Sequence, residues 1–408
     1  MYRLIATLLV TLGLMSLSRI ASFAEERKNL EELLVEKGTI TKEEAASLQG
    51  RKLSKWVERL TFSGDFRLRQ ENFMMDDPLV DRSRQRFRLR VGTELKIEDF
   101  IVGIRLASGT GEQVSTNQSF DNLFSQKQLW IDRAYLQWKG LSGLAFTGGR
   151  MPNPFFTLYT TDVVWDDDVN PEGFAENLTF KMSDSVSLFA NFGQFALDED
   201  ATDNNDQWLL GYQGGGQIGL SKETKITLAG AFYNFKNATR GNFGQVAVQD
   251  GNTRVPPPTT TPPTPATNTL ASEFRVLDIT AEFATLIGPL PVALQGDYVQ
   301  NLADPASGKD KGYQAGLRIG KASDPQTWEA AYFYKLVETD ATVADIADSD
   351  FGNNGGTNRK GHIVWIAYSP TKALQLKAKY FMTQTEDESL SPGKKDVDRL
   401  QVDLAIKF

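Results

Sequence analysis

The sequence predicts an all-β fold, a transmembrane antiparallel β-barrel of about sixteen strands preceded by a short N-terminal helical segment. Three features predict it. After Trp56 apolar and polar residues alternate with a period of two, the connections alternate between short and long, and the last strand ends on an aromatic residue, Phe408. A soluble sandwich has no reason to sort its loops by length between its two ends.

Residues 1–24 read as a secretory signal: Arg3, an apolar run from Leu4 to Leu17, then small residues ending Ala21-Ser22-Phe23-Ala24, with cleavage expected after Ala24. The run is too short for a spanning helix and no later segment offers one, so the exported chain is either soluble or a membrane barrel. Cysteine is absent, so neither disulfides nor a thiolate-held metal supports the fold. The formal charge is −8, and loss of Arg3 and Arg19 with the signal takes it to −10. An acidic chain argues against a nucleic-acid partner.

Residues 25–57 form the helical segment. Leu30, Leu33 and Leu34 share a stripe, Gly38 stops a first helix, and Thr41-Lys42-Glu43-Glu44 has the form of a capping box opening a second. The barrel takes residues 58–408. Leu60, Phe62, Gly64, Phe66 and Leu68 alternate with Thr61, Ser63, Asp65, Arg67, Arg69 and Glu71. Phe87, Leu89, Val91, Leu95 and Ile97 alternate with Arg84, Arg86, Arg88, Arg90, Glu94 and Lys96. One face suits lipid and the other is ionic. Further strands are expected near 100–108, 128–138, 144–150, 172–182, 185–196, 207–220, 223–235, 273–286, 291–301, 311–320, 326–337, 360–369, 373–383 and 398–408. Between them lie short turns such as Glu98-Asp99, Ser183-Asp184 and Ser221-Lys222. The longest connection, about 236–272, carries the Pro/Thr run from Val255 to Pro265, which favours polyproline II and is expected outside the cell as a stalk-like loop.

Trp56, Trp138, Trp328, Tyr332, Phe333, Tyr334, Trp365, Tyr368, Tyr380 and Phe381 cluster near strand ends, where interfacial belts place aromatic rings. On the last strand Leu400, Val402, Leu404, Ile406 and Phe408 point outward and Arg399, Gln401, Asp403 and Lys407 inward. A terminal Phe on such a strand resembles the signal read by the barrel-assembly machinery.

Four segments, Leu33 to Glu44, Leu129 to Trp138, Gly148 to Phe155 and Asp166 to Gly173, together resemble the "putative porin" family of outer-membrane proteins. The likeness covers essentially the whole mature chain. It implies a homotrimeric, water-filled channel in the outer membrane, passed by small hydrophilic solutes and holding no cofactor. It also implies that the third long loop, Met151 to Asn170, folds into the barrel with Asp162, Asp166, Asp167 and Asp168. Arg67, Arg69, Arg84, Arg86, Arg88 and Arg90 are expected on the facing wall, giving a transverse field across a constriction. Folding the first hairpin near residues 77 and 78 sets Asp65 opposite Arg90, Glu71 opposite Arg84, Arg67 opposite Arg88 and Arg69 opposite Arg86. The arginine-rich strands also look like those of phosphate-selective porins, which keeps an anion-specific channel as the alternative.

A barrel lipid hydrolase would place a His beside a Ser, but the single histidine, His362, has Val364 two residues on. A structural or adhesive barrel stays open as an alternative, since the Pro/Thr loop and the helical segment could both serve contacts; a plugged lumen would decide it, and the sequence shows no plug domain. The sequons at Asn117, Asn177 and Asn237 and the triplet Gly214 to Gly216 read as chance and as a strand bend.

Overall fold

A computed structural model describes residues 57–408 apart from 77–79, 159–162, 200, 202–204, 241–250, 256–268, 354 and 391–395, together with Lys37 and Thr41. The chain divides into two units, Met1–Arg59 and Leu60–Phe408. In the first, the described backbone includes one 3-10 turn, Val57–Arg59. The expected signal, Trp56 and, apart from Lys37 and Thr41, both expected helices lie outside the described residues.

The second unit is a β-barrel. Its strands are β1 (Leu60–Met75), β2 (Arg82–Ile97), β3 (Phe100–Ser108), β4 (Gln118–Ser119), β5 (Leu129–Leu141) and β6 (Leu144–Arg150). They continue as β7 (Glu172–Lys181), β8 (Val186–Asp198), β9 (Gln207–Gly219), β10 (Lys225–Lys236), β11 (Phe274–Ile287) and β12 (Leu290–Asn301). The last are β13 (Lys311–Gly320), β14 (Thr327–Val337), β15 (Arg359–Ser369), β16 (Leu374–Thr385) and β17 (Val397–Lys407). Each pairs antiparallel with its neighbours, and β1 pairs with both β2 and β17, which closes the cylinder. Setting aside the two-residue β4, which pairs with β2 alone, sixteen of the seventeen strands form the wall. Closure leaves no edge strand to be satisfied by water, which is the condition for crossing a bilayer with strands.

The seam depends on a close approach. Phe408 and Gly64 exchange backbone hydrogen bonds of 2.8 and 3.1 Å, and the Phe408 ring covers the bare Cα of Gly64. A Cβ there would sit 2.5 Å from the Arg90 carbonyl and 2.6 Å from the ring, so glycine is needed for the terminal aromatic to lie flat on the first strand.

Outside, Phe62, Leu68, Ile104, Phe174, Leu228, Ile279, Tyr332 and Ile366 are exposed, as lipid-facing positions are. The aromatic belt is corrected at three positions. Phe333, Trp365 and Phe381 face the lumen and are buried with Phe351, because alternation puts them on the same side as Glu329, Lys335 and Arg399.

The lumen is not open throughout. Residues 109–117 interrupt a strand: β3 stops at Ser108 and β4 resumes pairing further along β2, at Arg86 and Phe87, so the intervening segment bulges inward. Residues 151–158, 163–171, 338–353 and 355–358 also fold inside. Asp166 N–H donates to the Ile346 carbonyl (2.8 Å), Gln113 Nε2 to the Asp345 carbonyl (2.7 Å) and Ser349 Oγ to the Val114 carbonyl (2.9 Å), tying the three segments together.

The stalk expectation is corrected at its base. Asn252 is buried and donates to the carbonyls of Thr339 and Thr342 (2.7 and 2.8 Å) while its Oδ1 accepts from Ala344 N–H (2.8 Å). Gly251, at φ 118°, passes so close to Thr357 that a Cβ would lie 2.3 Å from its carbonyl oxygen. Of the Pro/Thr run only Val255 is described, and it is exposed.

One half of the interior holds an apolar core. Met151, Phe155, Val163, Val164, Trp165 and Val169 pack on the inner faces of β7 to β12 and β14, against Phe195, Leu209, Tyr233, Phe235, Phe274, Val276, Val299 and Val337. Phe155 and Trp165 meet Tyr233 edge-on at 5.1 and 5.6 Å between centroids. Truncating either ring to Ala would cost about 3–5 kcal/mol, enough to release the loop.

Candidate functional site

The other half is ionic. Alternation puts Arg67 and Arg69 of β1 and Arg84, Arg86, Arg88 and Arg90 of β2 on the inner face. The observed register sets Asp65 opposite Arg90, Arg67 opposite Arg88, Arg69 opposite Arg86 and Glu71 opposite Arg84, the pairing that folding the hairpin predicts.

Opposed guanidiniums repel, and carboxylates arrive from three directions to offset this. In the hairpin, Asp65 accepts from Arg88 Nε (2.9 Å) and Arg90 Nε (2.7 Å), and Glu71 pairs with Arg84. From β17, Asp403 takes Arg69 in a bidentate grip (2.7 and 2.9 Å), and Arg399 donates to Glu71 through Nε (2.9 Å). From the inserted loops, Asp168 lies 3.2 Å from Arg90, and Asp350 lies 3.2 Å from Arg69 and 2.7 Å from Arg399. Arg67 donates to the Asn117 side chain (2.6 Å) and Arg86 to the Asn117 carbonyl (3.2 Å), which puts the first sequon inside the barrel.

The picture of acid on one wall facing guanidinium across a gap therefore needs correction at Asp168, which touches the arginines it was expected to face. Asp166 serves as a tie: Oδ2 accepts from Ser349 N–H and Oδ1 from Asp168 N–H (2.8 and 2.9 Å). Asp162 lies outside the described residues. Asp167 alone of the described three is exposed.

Electrostatics separate these loop carboxyls. Enclosure by the wall and the adjacent Asp168 carboxylate push Asp167 above the ordinary 3.8, against the pull of Lys379 and Lys377. Burial acts on Asp168 too, but Arg88, Arg90 and Arg67 outweigh it and hold that carboxyl below the usual range. Burial likewise opposes ionisation of Asp350, and Arg399, Arg69 and Lys379 hold it well below. Asp348 stays low because Lys335, whose Nζ donates to it at 2.8 Å, and Lys379 outweigh burial.

Several participants escape the sequence reading. Arg399 and Asp403 are legible as inward residues, but not as partners of the first strand. Lys377 and Lys379 of β16 give no signal beyond alternation. Asp348 and Asp350 lie in a loop with no motif; Asp132 of β5 and Asn170 of the third long loop take Arg105 and Arg133 into a second cluster. His362 faces outward, its Nδ1 2.8 Å from the Tyr332 hydroxyl, with its ring against those of Tyr332 and Tyr334.

None of the curated proteins matches the chain in sequence. In structure it is similar to OprB of Pseudomonas putida (TM-score 0.55, 9% identity, covering 86% of this chain and 95% of that one). It is also similar to OmpF of Salmonella typhi (TM-score 0.51, 12% identity, covering 86% and 97%). Both likenesses concern the barrel fold. The profile of one family, described as "putative porin", matches residues 75–242 and 238–408, nearly the whole barrel. With its closed wall, apolar outer belt and ionic inner face, the chain belongs to the "putative porin" family and is a channel-forming barrel of the outer-membrane porin kind.

Proposed function

We propose that the protein is a weakly selective diffusion channel of the outer membrane for small hydrophilic solutes and ions, narrowed where the loops 109–117, 151–171 and 338–358 meet the arginine wall. One observation carries this reading: the ionic half of the lumen presents Arg67, Arg69, Arg84, Arg86, Arg88 and Arg90 together with nearly matching carboxylates, a lining suited to hydrated ions and without strong preference for either sign. Residues 25–57 belong on the periplasmic side in this reading, the Pro/Thr loop outside, and Phe408 is the assembly signal of a homotrimer. A channel specific for oxyanions is the second reading, favoured by the guanidinium density of one wall; the carboxylates already seated there argue against those groups as its filter.

The test is a planar-bilayer recording of the refolded mature chain under a KCl gradient. Discrete steps with a small reversal potential are expected. A barrel that migrates as folded yet never conducts would remove the reading.

A further inference from the structure

The inner face beneath the apolar core changes character abruptly. On β11 it passes from Phe274 and Val276 to Asp278 and Thr280, all buried. On β12 Asp297 stands opposite Thr280, and on β13 Gln314 stands opposite Asp297. Three oxygen-bearing side chains thus form one row across strands about 4.8 Å apart. Asp278 lies two residues toward the outer end, and its carboxyl hydrogen-bonds that of Asp297. Tyr233 of β10 stands close enough to feel the charge of both.

On the arginine wall every such acid meets a guanidinium: Asp65 meets Arg90, Asp403 meets Arg69 and Asp168 meets Arg90. Here the balance is different. Among the described residues no lysine or arginine acts on Asp278, and its Oδ1 has no hydrogen-bond partner. The Thr280 hydroxyl, on a residue 3% exposed, has none either. Two carboxylates in contact away from water oppose each other's ionisation, and a bound cation removes that cost. The donors are all oxygen, two carboxylates with a hydroxyl and an amide, which selects a hard cation over zinc or copper. Calcium accepts six to eight oxygens in irregular geometry, whereas magnesium demands a near-ideal octahedron and keeps its waters.

We propose that Asp278 and Asp297, completed by Thr280 and Gln314, form a calcium site in the inner wall of the barrel. The site lies apart from the arginine wall and does not depend on the channel reading. Its neighbour Tyr233 carries the rings of Phe155 and Trp165 from the inserted loop, at 5.1 and 5.6 Å between centroids, so an occupied site steadies the wall on which that loop is packed.

Urea unfolding of the refolded mature chain in an uncharged detergent, first in EDTA and then with CaCl2, tests it. Calcium should raise the wild-type midpoint, with half the effect near the ~0.1–1 mM of extracellular calcium modules, and MgCl2 should do much less. Asp278→Asn with Asp297→Asn should abolish the calcium-dependent shift, with a midpoint in EDTA no lower than wild type because the like charges are gone. Thr280→Val keeps the shape of the side chain and should raise the half-effective calcium concentration several-fold. Conductance in KCl should persist in EDTA. A wild-type midpoint indifferent to calcium, or an equal shift in the double variant, overturns the site and leaves the two aspartates as a pair sharing a proton. If the double variant does not fold, Thr280→Val decides: calcium dependence identical to wild type overturns the site.

Discussion

Glu71→Gln probes how far the ionic wall holds the barrel together. The Glu71 side chain has no exposure, pairs with Arg84 and accepts from Arg399 Nε (2.9 Å) and Gln401 Nε2 (3.0 Å), while Arg69 and Arg86 stand 3.9 Å away. Glutamine keeps the volume but removes the charge and turns an amide N–H toward a guanidinium. Stripping one partner from a buried ion pair costs about 3–5 kcal/mol. Arg399 keeps Asp350 at 2.7 Å and the Arg84 side chain keeps 19% exposure, so the low end applies. About 3 kcal/mol is expected, roughly a hundredfold or more in the folding equilibrium. The assay is urea unfolding of the refolded barrel in lipid vesicles, read by heat-modifiable migration. The midpoint should fall with the slope unchanged, and Arg399→Met in the same background should recover part of the loss. The reversal potential should move toward anions, since Arg84 and Arg86 lose a counter-charge. A midpoint within about 0.5 kcal/mol of wild type, the range of an ordinary surface change, would refute the reasoning and show the network to be bathed in water.

The three described loop aspartates should behave differently. Asp167→Asn should shift the reversal potential toward anions at unchanged urea midpoint, whereas Asp166→Asn and Asp168→Asn should lower the midpoint by about 1–3 kcal/mol each, because each leaves buried donors unpaired; equal behaviour of all three would contradict the geometry. Asp167 lies above 3.8 and Asp168, Asp348 and Asp350 below it, so on acidification Asp167 discharges first. Reversal potentials measured from neutral pH downward should show an anion-ward step that Asp167→Asn removes. Stability from the three depressed carboxylates is complete above 3.8 and is lost only as pH falls through their lower values; urea midpoints should hold at mildly acid pH and drop in stronger acid. Gly64→Val should slow assembly as Phe408→Ala does, with the pair no worse than either alone, if both act through one contact; additive delays in a folding time course would separate them. Deleting residues 25–50 should leave conductance intact and weaken the oligomer on native gels.

The wall was legible because lipid on one side and water on the other force every strand to alternate. The first hairpin shows this best: Phe66 and Leu68 against Arg67 and Arg69 fix face and register together, and all four predicted pairs stand. Where both faces turned out apolar, the same signal misled. Phe333, Trp365 and Phe381 read as a lipid-interface belt because an aromatic ring has the same sequence signature whether it meets headgroups or a packed loop. The filled lumen was hidden for a related reason. Long loops carry no period, so Asp348 and Asp350 could not be assigned partners that lie across the barrel in the fold. One clue was present: Val163-Val164-Trp165 and the stretch from Ala341 to Ala347 are too apolar for segments bathed in water, and such runs inside outer loops signal return to a core.

The apolar half of the interior also governs how the chain can vary. On β9, β10 and β11 the outward residues answer to lipid and the inward ones, Leu209, Tyr233, Phe235, Phe274 and Val276, to a close-packed core, so few positions there are free to drift. On β1, β2 and β17 most inward positions, Phe73 and Val397 apart, answer to charge balance, which can be kept by exchanging partners. Variants that retune permeation without unfolding the protein should therefore accumulate on one side of the cylinder, leaving the opposite side as the inherited scaffold.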